Sequence, residues 1–190
     1  MLGGFGLIIL IYLDLLGVWI LGILILVTIL LSILSLKFKI PLIEFLLDYL
    51  ERPKYRHKFP MKSMIFFMSG ALLVIALFSK EIAIASLVIL TLGDGFSALI
   101  GMHYGRIKHP FSNIKFIEGH IVGVMAASIG IMLMYMFKFT TIYPLHAFIA
   151  SSFAMFFEGI ELKYGWDAVA DDNIVIPLIS GVVLWLFSHI

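Results

Sequence analysis

The densest group of oxygen ligands in the sequence is the run Asp171-Asp172-Asn173, which directly precedes an apolar segment. Asp and Asn are ordinary caps of a helix N-terminus, and acidic residues are favoured there, so capping explains one of the three side chains. Capping does not explain the other two side chains. Mg²⁺ binds through one or two carboxylates, together with waters and substrate phosphates. We therefore interpret Asp171 and Asp172, with Asn173 in support, as candidate magnesium ligands.

A second motif begins at Asp94 and ends at Arg106, with almost no side-chain bulk between them on one helix face. In a helix, Asp94, Ala98, Gly101 and Gly105 all lie on that face. The spacing of the two glycines is common where membrane helices pack, and this explanation stays open. The alternative is that glycines admit a polyphosphate and that Arg106 neutralises its oxygens.

Further charged residues extend this candidate site. Lys115 follows Arg106 after a short interval and is a candidate for a phosphate contact. Glu118 and Glu158 stand at the ends of apolar segments, where salt bridges explain them as well as a functional role does. His120 is a candidate neighbour of the site, whereas the other histidines show no spacing typical of metal ligands.

Several common site types are excluded by inspection. The sequence contains no GxxxxGK[ST] phosphate loop, no HExxH metalloprotease motif and no GxSxG hydrolase motif. It has no cysteine, which excludes disulfides and thiolate metal sites. The net charge of +1 gives no indication of a nucleic-acid partner.

The elements that position these residues must lie in a membrane. Of 190 residues, 62% are hydrophobic and 13% charged, against about 25% charged in an average soluble domain. We expect an all-α, polytopic integral membrane helix bundle with about six spans of roughly 20 residues. The spans are predicted at residues 15–36, 61–79, 82–102, 117–137, 141–161 and 173–189. Residues 2–13 form an interfacial lead-in to the first span, which we favour, or a seventh span.

We expect residues 1–190 to form a single membrane domain whose polar insert, residues 37–60, is amphipathic and basic. Nearly all Lys and Arg residues fall in alternate loops, and only Lys80 and Lys138 lie opposite. The positive-inside rule places the basic loops in the cytoplasm. Most acidic residues stand at the same membrane face, where a carboxylate is costly unless it is paired, hydrated or bound to metal. This face is the predicted location of the active site.

Taken in order, these motifs resemble those of the CTP-dependent lipid-alcohol kinases: dolichol kinase, phytol kinase and CTP-dependent diacylglycerol kinase. The resemblance covers residues 61–190, a kinase-like core. The matching pieces are Gly93-Asp94 with Ala98, Gly101 and Gly105, then Lys115-Phe-Ile-Glu118-Gly119, Glu158, and Asp171-Asp172-Asn173 with Ile176-Pro177. The family usually has Ser or Thr after the motif lysine and after Glu-Gly, where this chain has Phe116 and His120. The chain also lacks the Arg-Lys…His segment common on the N-terminal side.

The resemblance implies a membrane kinase that uses Mg²⁺ and transfers a phosphoryl group from CTP to a lipid hydroxyl at the cytoplasmic face. The acceptor would be a polyprenol-type lipid such as dolichol or phytol, or diacylglycerol. The catalytic residues would be Asp94, as base or hydroxyl-orienting group, and Lys115, Glu118 and Asp172. The nucleotide would contact Gly101, Gly105, Arg106, Lys115 and Gly119. The metal would be held by Asp171, Asp172, Asn173 and Glu118, with Glu158 as a further site residue.

Two other functions fit parts of the same pattern. A cytidylyltransferase that forms a CDP-lipid also needs Mg²⁺, CTP and carboxylates at the cytoplasmic face. A small transporter would place its acids nearer the middle of the membrane, in broken helices. The clustering of acids at one end of the spans favours an enzyme over a transporter.

Overall fold

Seven helices make up most of the chain that the computed structural model describes, namely residues 2–38, 59–112, 114–160 and 171–189. They are α1 (Leu2–Tyr12), α2 (Val18–Lys37), α3 (Lys62–Leu77), α4 (Lys80–Tyr104), α5 (Ile117–Met136), α6 (Pro144–Glu158) and α7 (Asp172–Phe187). These ranges contain no strand, and only an isolated bridge joins Lys108 to Phe116. The predicted all-α membrane bundle is confirmed.

Three helices, α2, α4 and α5, are long and apolar enough to cross a membrane, with 20, 25 and 20 residues. A 20-residue helix is about 30 Å long, which matches the hydrocarbon thickness of a bilayer. The shorter apolar helices include α1, α3 and α7. The six predicted spans coincide with α2 to α7 to within about one helical turn. Most of the predicted insert at residues 37–60 lies outside the described residues.

The apolar N-terminal stretch forms two helices rather than one tilted span. Asp14 lies between α1 and α2 with φ 58°, in the left-handed region that Asp adopts more readily than most residues. Its carboxylate pairs with the Lys80 ammonium at 2.6 Å, where α4 begins. Glu81 accepts a hydrogen bond from Thr141 at the same end of the bundle. The predicted lead-in is thus a separate helix of 11 residues, about 16 Å long, too short to cross a bilayer alone.

Helix α4 is the centre of the bundle. In its most apolar stretch 67% of the residues are buried, against 17% in α2 and 28% in α5. It packs against α5, α7 and α1. Between two α-helical portions, residues Ile89–Asp94 form a π-helical segment. Such segments are rare and often occur at functional sites. Here the segment ends at Asp94, so it determines the direction in which that carboxylate points.

Close contact between α4 and α5 depends on glycine. A Cβ atom on Gly119 would lie 3.2 Å from the Cα atom of Gly101, and one on Gly123 would lie 2.7 Å from the carbonyl oxygen of Gly93. The two backbones therefore touch directly, as in other small-residue interfaces of membrane helices. This contact fixes the N-terminal half of α5 beside Asp94.

Helix α2 lies at the edge of the bundle and presents large apolar side chains outward. Trp19, Leu26 and Leu30 are more than half exposed. Contiguous apolar surface of this extent is unfavourable in water and suits contact with lipid. Its inner face is anchored by the Ser32 hydroxyl, which donates to the carbonyl oxygen of Pro60 at 2.6 Å.

Candidate active site

Three carboxylates from three helices meet at one end of the bundle. Asp94 of α4, Glu158 of α6 and Asp172 of α7 each offer an oxygen atom, and these atoms lie within 4.8 Å of one another. Glu158 is only 5% exposed, whereas the other two are partly exposed. A cluster of this kind is strongly destabilising unless a cation compensates it.

The ends of α6 and α7 and an internal segment of α4 place these three side chains. Asp94 ends the π-helical segment of α4, Glu158 is the last residue of α6, and Asp172 is the first residue of α7. A Cβ atom on Gly93 would lie 2.9 Å from the sulfur of Met155, so glycine at this position lets α4 approach α6. The cluster therefore depends on helix packing and not on any flexible loop.

Lys115 provides one compensating charge. Its ammonium nitrogen lies 2.9 Å from Oε1 of Glu158, 2.8 Å from Oδ2 of Asp172 and 2.7 Å from the carbonyl oxygen of Glu158. Burial alone would lower the pKa of Lys115, but the two carboxylates outweigh burial and raise it above its usual value. The side chain is therefore charged at neutral pH. An ammonium group has three donors, and these three acceptors use all of them.

The loop between α4 and α5 holds Lys115 in place. The amide of His109 donates to the carbonyl oxygen of Lys115 at 3.0 Å, and the amide of Lys115 donates to the hydroxyl of Ser112 at 3.0 Å. Ser112 is buried, so the turn cannot shift freely. A tight turn closed on both sides thus directs the lysine toward the carboxylates.

Lys115 does not satisfy every polar atom at the cluster. Among the described residues, Oε2 of Glu158 and Nε2 of His120 are buried and have no hydrogen-bond partner. Buried polar atoms in native proteins nearly always have a partner, so an unpaired carboxylate oxygen calls for a donor or a cation. Carboxylate oxygens are the ligands that Mg²⁺ prefers. The residues present therefore fit a divalent cation.

The chain is similar to the phytol kinase of Synechocystis sp., with 29% identity over 134 residues. The aligned part is 67% of this chain and 55% of that protein, so the chain spans about half the length of this relative. The match to a phytol kinase bears out the resemblance to lipid-alcohol kinases inferred from the motifs. No family model matches the chain, and no solved structure matches it.

The structure separates the two adjacent aspartates of the last family motif. Asp172 joins the cluster, whereas Asp171 caps α7: its Oδ1 accepts from the Asn173 amide at 3.1 Å and from the Asn173 side chain at 2.8 Å. The other oxygen of Asp171 lies 3.7 Å from the Lys62 ammonium. Asp171 and Asn173 therefore act as a helix cap here, and their assignment as metal ligands stays a prediction.

Glu118 contacts the backbone of Arg106, outside the group of three carboxylates. The carboxylate of Glu118 accepts hydrogen bonds from the backbone amides of Arg106 at 3.1 Å and Ile107 at 3.0 Å. It is outside the group formed by the three carboxylates. The Arg106 side chain is exposed. Glu118 thus fixes the loop that starts after α4, and the catalytic and metal-binding roles predicted for it stay untested.

The family glycines all have packing contacts. A Cβ atom on Gly101 would lie 3.8 Å from the Phe116 ring, and one on Gly105 would overlap that ring. Gly119 faces the backbone of α4. Phe116 also carries the Lys108 ammonium above its ring, 4.5 Å from the centroid. These contacts support the packing explanation that the sequence left open. Contact of these glycines with the nucleotide stays a prediction.

Two histidines lie beside Glu158, and sequence reasoning gave a possible site role to only one of them. The rings of His109 and His120 are 4.8 Å apart, and both are buried. Gly159 allows this arrangement, because a Cβ atom there would overlap the His109 ring. Burial, together with the positive charge of Lys115, lowers the pKa of His109. The glycine directly after Glu158 was the available signal that a ring packs against that helix end.

Proposed function

We propose that the chain is a membrane kinase that transfers the γ-phosphoryl group of CTP to the hydroxyl of a polyprenol-type lipid. The observation that carries this proposal is the meeting of three carboxylates and Lys115 at one end of an apolar helix bundle. The phytol kinase relative supports a lipid alcohol as acceptor, with phytol as the first candidate and dolichol and diacylglycerol as the next. The choice of CTP as donor rests on the family resemblance.

The arrangement suits phosphoryl transfer because this reaction depends mainly on positioning and on neutralising the charge of the transferred group. We assign the metal to Glu158 and Asp172, the two carboxylates that Lys115 also contacts. Mg²⁺ held there would neutralise part of the charge on the phosphate groups. Lys115 holds these two carboxylates in register and supplies a fixed positive charge beside the phosphates.

Asp94 is assigned to the acceptor hydroxyl. Its carboxylate is the member of the cluster that α4 contributes. It lies within 4.8 Å of the oxygen atoms of Glu158 and Asp172, the two proposed metal ligands. In the proposed step the lipid oxygen attacks the γ-phosphorus, and Asp94 orients the hydroxyl and accepts its proton. The bond between the γ-phosphorus and the bridging oxygen breaks, and CDP leaves.

We place the active site at the cytoplasmic face of a multi-pass membrane protein, because the basic loop that carries Arg106, Lys108 and Lys115 lies at the same end as the cluster. The lipid reaches the site laterally between helices, with its hydroxyl toward the cytoplasm. Exposed apolar side chains near this end include Phe111 and Phe156, whose rings are 6.2 Å apart. They offer a surface for the hydrocarbon chain.

Membranes containing the chain test this proposal when incubated with CTP labelled at the γ-phosphate and with phytol, dolichol or diacylglycerol. We expect a labelled lipid phosphate and free CDP, with Asp94→Asn and Asp172→Asn both inactive. Asp14→Asn is the matched control, because Asp14 lies at the opposite end of the bundle. Pyrophosphate and a CDP-lipid would instead identify a cytidylyltransferase. Transfer that persists in both site variants would contradict the assigned site.

A further inference from the structure

We propose that Nε2 of His120 is a ligand of the metal in this site, beside Oε2 of Glu158, and that it makes the centre prefer Mn²⁺ to Mg²⁺. The inference rests on the proposed function, which brings a divalent cation to the cluster. The residue concerned is His120, which stands where the family usually has Ser or Thr.

The hydrogen bond of the opposite ring nitrogen determines which nitrogen of His120 can bind metal. Nδ1 lies 3.0 Å from the carbonyl oxygen of Phe116. A carbonyl oxygen only accepts hydrogen bonds, so Nδ1 carries a hydrogen atom, and in the neutral ring Nε2 then carries the lone pair. Metal-binding histidines nearly always have this arrangement, with the second nitrogen donating to a carbonyl or carboxylate. His120 is therefore already in the tautomer and orientation of a ligand.

Nε2 of His120 faces an atom that, like itself, is buried without a hydrogen-bond partner in the described part of the chain. It lies 3.7 Å from Oε2 of Glu158. Both residues are more than nine-tenths buried. A lone pair on nitrogen and an ionised carboxylate oxygen repel each other, so either a proton or a metal ion must lie between them, and we assign a metal ion. Lys115 does not supply the proton, because its three donors are used elsewhere.

The separation of the two atoms fits a shared ion. Two ligands with bonds of about 2.1 Å lie roughly 3.0 Å apart at a right angle and 4.2 Å apart when opposite each other. The observed 3.7 Å falls between these limits. Asp172 belongs to the same carboxylate cluster as Glu158, whereas His120 lies beside that group and contacts it through Glu158. His120 would thus add one nitrogen to a group of carboxylate oxygens.

A nitrogen ligand changes which metal the site prefers. Mg²⁺ takes oxygen ligands almost exclusively, whereas imidazole suits first-row transition metals. Mn²⁺ takes carboxylate oxygens as Mg²⁺ does, and it belongs to the first-row transition series. The packing around His120 also excludes water, because the His109 ring covers it at 4.8 Å. A buried, preoriented imidazole therefore favours Mn²⁺ over Mg²⁺.

The test uses the full-length protein, purified in detergent and freed of metal, then loaded with Mn²⁺ alone. Pulsed electron paramagnetic resonance detects a ¹⁴N nucleus bound directly to Mn²⁺. We expect that nitrogen signal in the wild-type protein and its loss in His120→Gln. The same titration should show Mn²⁺ affinity falling at least about tenfold in His120→Gln, with Mg²⁺ affinity changing less. His103→Gln is the matched control, because His103 is exposed on α4 and bonds only to its own helix in the described chain.

The wild-type spectrum can overturn the assignment of His120 as a ligand even if His120→Gln fails to fold. Bound Mn²⁺ without a nitrogen signal would overturn the inference while leaving the kinase proposal intact, since carboxylates alone would then hold the ion. Absence of any bound Mn²⁺ would overturn it as well. A nitrogen signal from a protein that phosphorylates no lipid would support the metal ligand and contradict the proposed function.

Discussion

The ammonium of Lys115 lies 2.8 Å from Oδ2 of Asp172, although the two residues are 57 positions apart in the chain. The same nitrogen lies 2.9 Å from Oε1 of Glu158. One side chain from the loop before α5 thereby joins the end of α6 to the start of α7. Lys115 is thus both the counter-charge of the site and the contact that brings its two proposed metal ligands together.

Lys115→Met should abolish phosphoryl transfer and also destabilise the protein. The substitution leaves the nearly buried Glu158 carboxylate without its cationic partner, and loss of such a partner costs about 1–3 kcal/mol of unfolding free energy or more. Thermal denaturation in detergent measures the stability, and the labelled transfer assay measures the activity. Lys108→Met is the control, because Lys108 is exposed and its ammonium lies over the Phe116 ring. A Lys115→Met protein of unchanged stability would show that the ion pair does not hold the cluster together.

Asp94→Asn and Asp172→Asn should differ in their effect on metal binding, although both abolish transfer. Asp172 is a proposed metal ligand, so its substitution should weaken Mn²⁺ binding at least about tenfold. Asp94 is assigned to the acceptor hydroxyl, so Asp94→Asn should bind Mn²⁺ nearly as the wild type does. Titration of the spin signal of free Mn²⁺ measures both affinities. If Asp94→Asn lost the metal as completely as Asp172→Asn, the separation of roles between the two residues would be wrong.

The sequence predicts the helices well because the length of an apolar run sets the length of a span. It predicts less of the site, because the partners of a carboxylate depend on how helix ends meet. Asp171 and Asp172 are chemically identical neighbours, yet a step of one residue along the backbone makes the first a cap and directs the second to Lys115. The π-helical segment before Asp94 has no signal in the hydrophobic pattern, and it changes the direction of that side chain.

Gly119→Ala should destabilise the bundle and reduce activity together. The added Cβ atom would lie 2.5 Å from the carbonyl oxygen of Ser97, which belongs to the backbone of α4 and cannot rotate away. Overpacking of this kind costs about 1–3 kcal/mol, and it pushes α4, with Asp94, away from the cluster. Gly22→Ala is the matched control, since a Cβ atom there meets nothing within 4 Å. A Gly119→Ala protein with normal stability but no activity would instead support direct contact of Gly119 with the nucleotide.

The orientation of the site can be checked by labelling single cysteines, because the chain has none of its own. Lys108→Cys lies on the exposed loop between α4 and α5, and Glu81→Cys lies at the other end of α4. The span between the two positions is close to the thickness of a bilayer, at roughly 1.5 Å of rise per residue. In sealed membrane vesicles whose cytoplasmic face is inside, a maleimide that cannot cross membranes should label Glu81→Cys directly and Lys108→Cys only after the membrane is opened. The reverse pattern would place the carboxylate cluster on the face away from cytoplasmic nucleotides, and the kinase proposal would then fail.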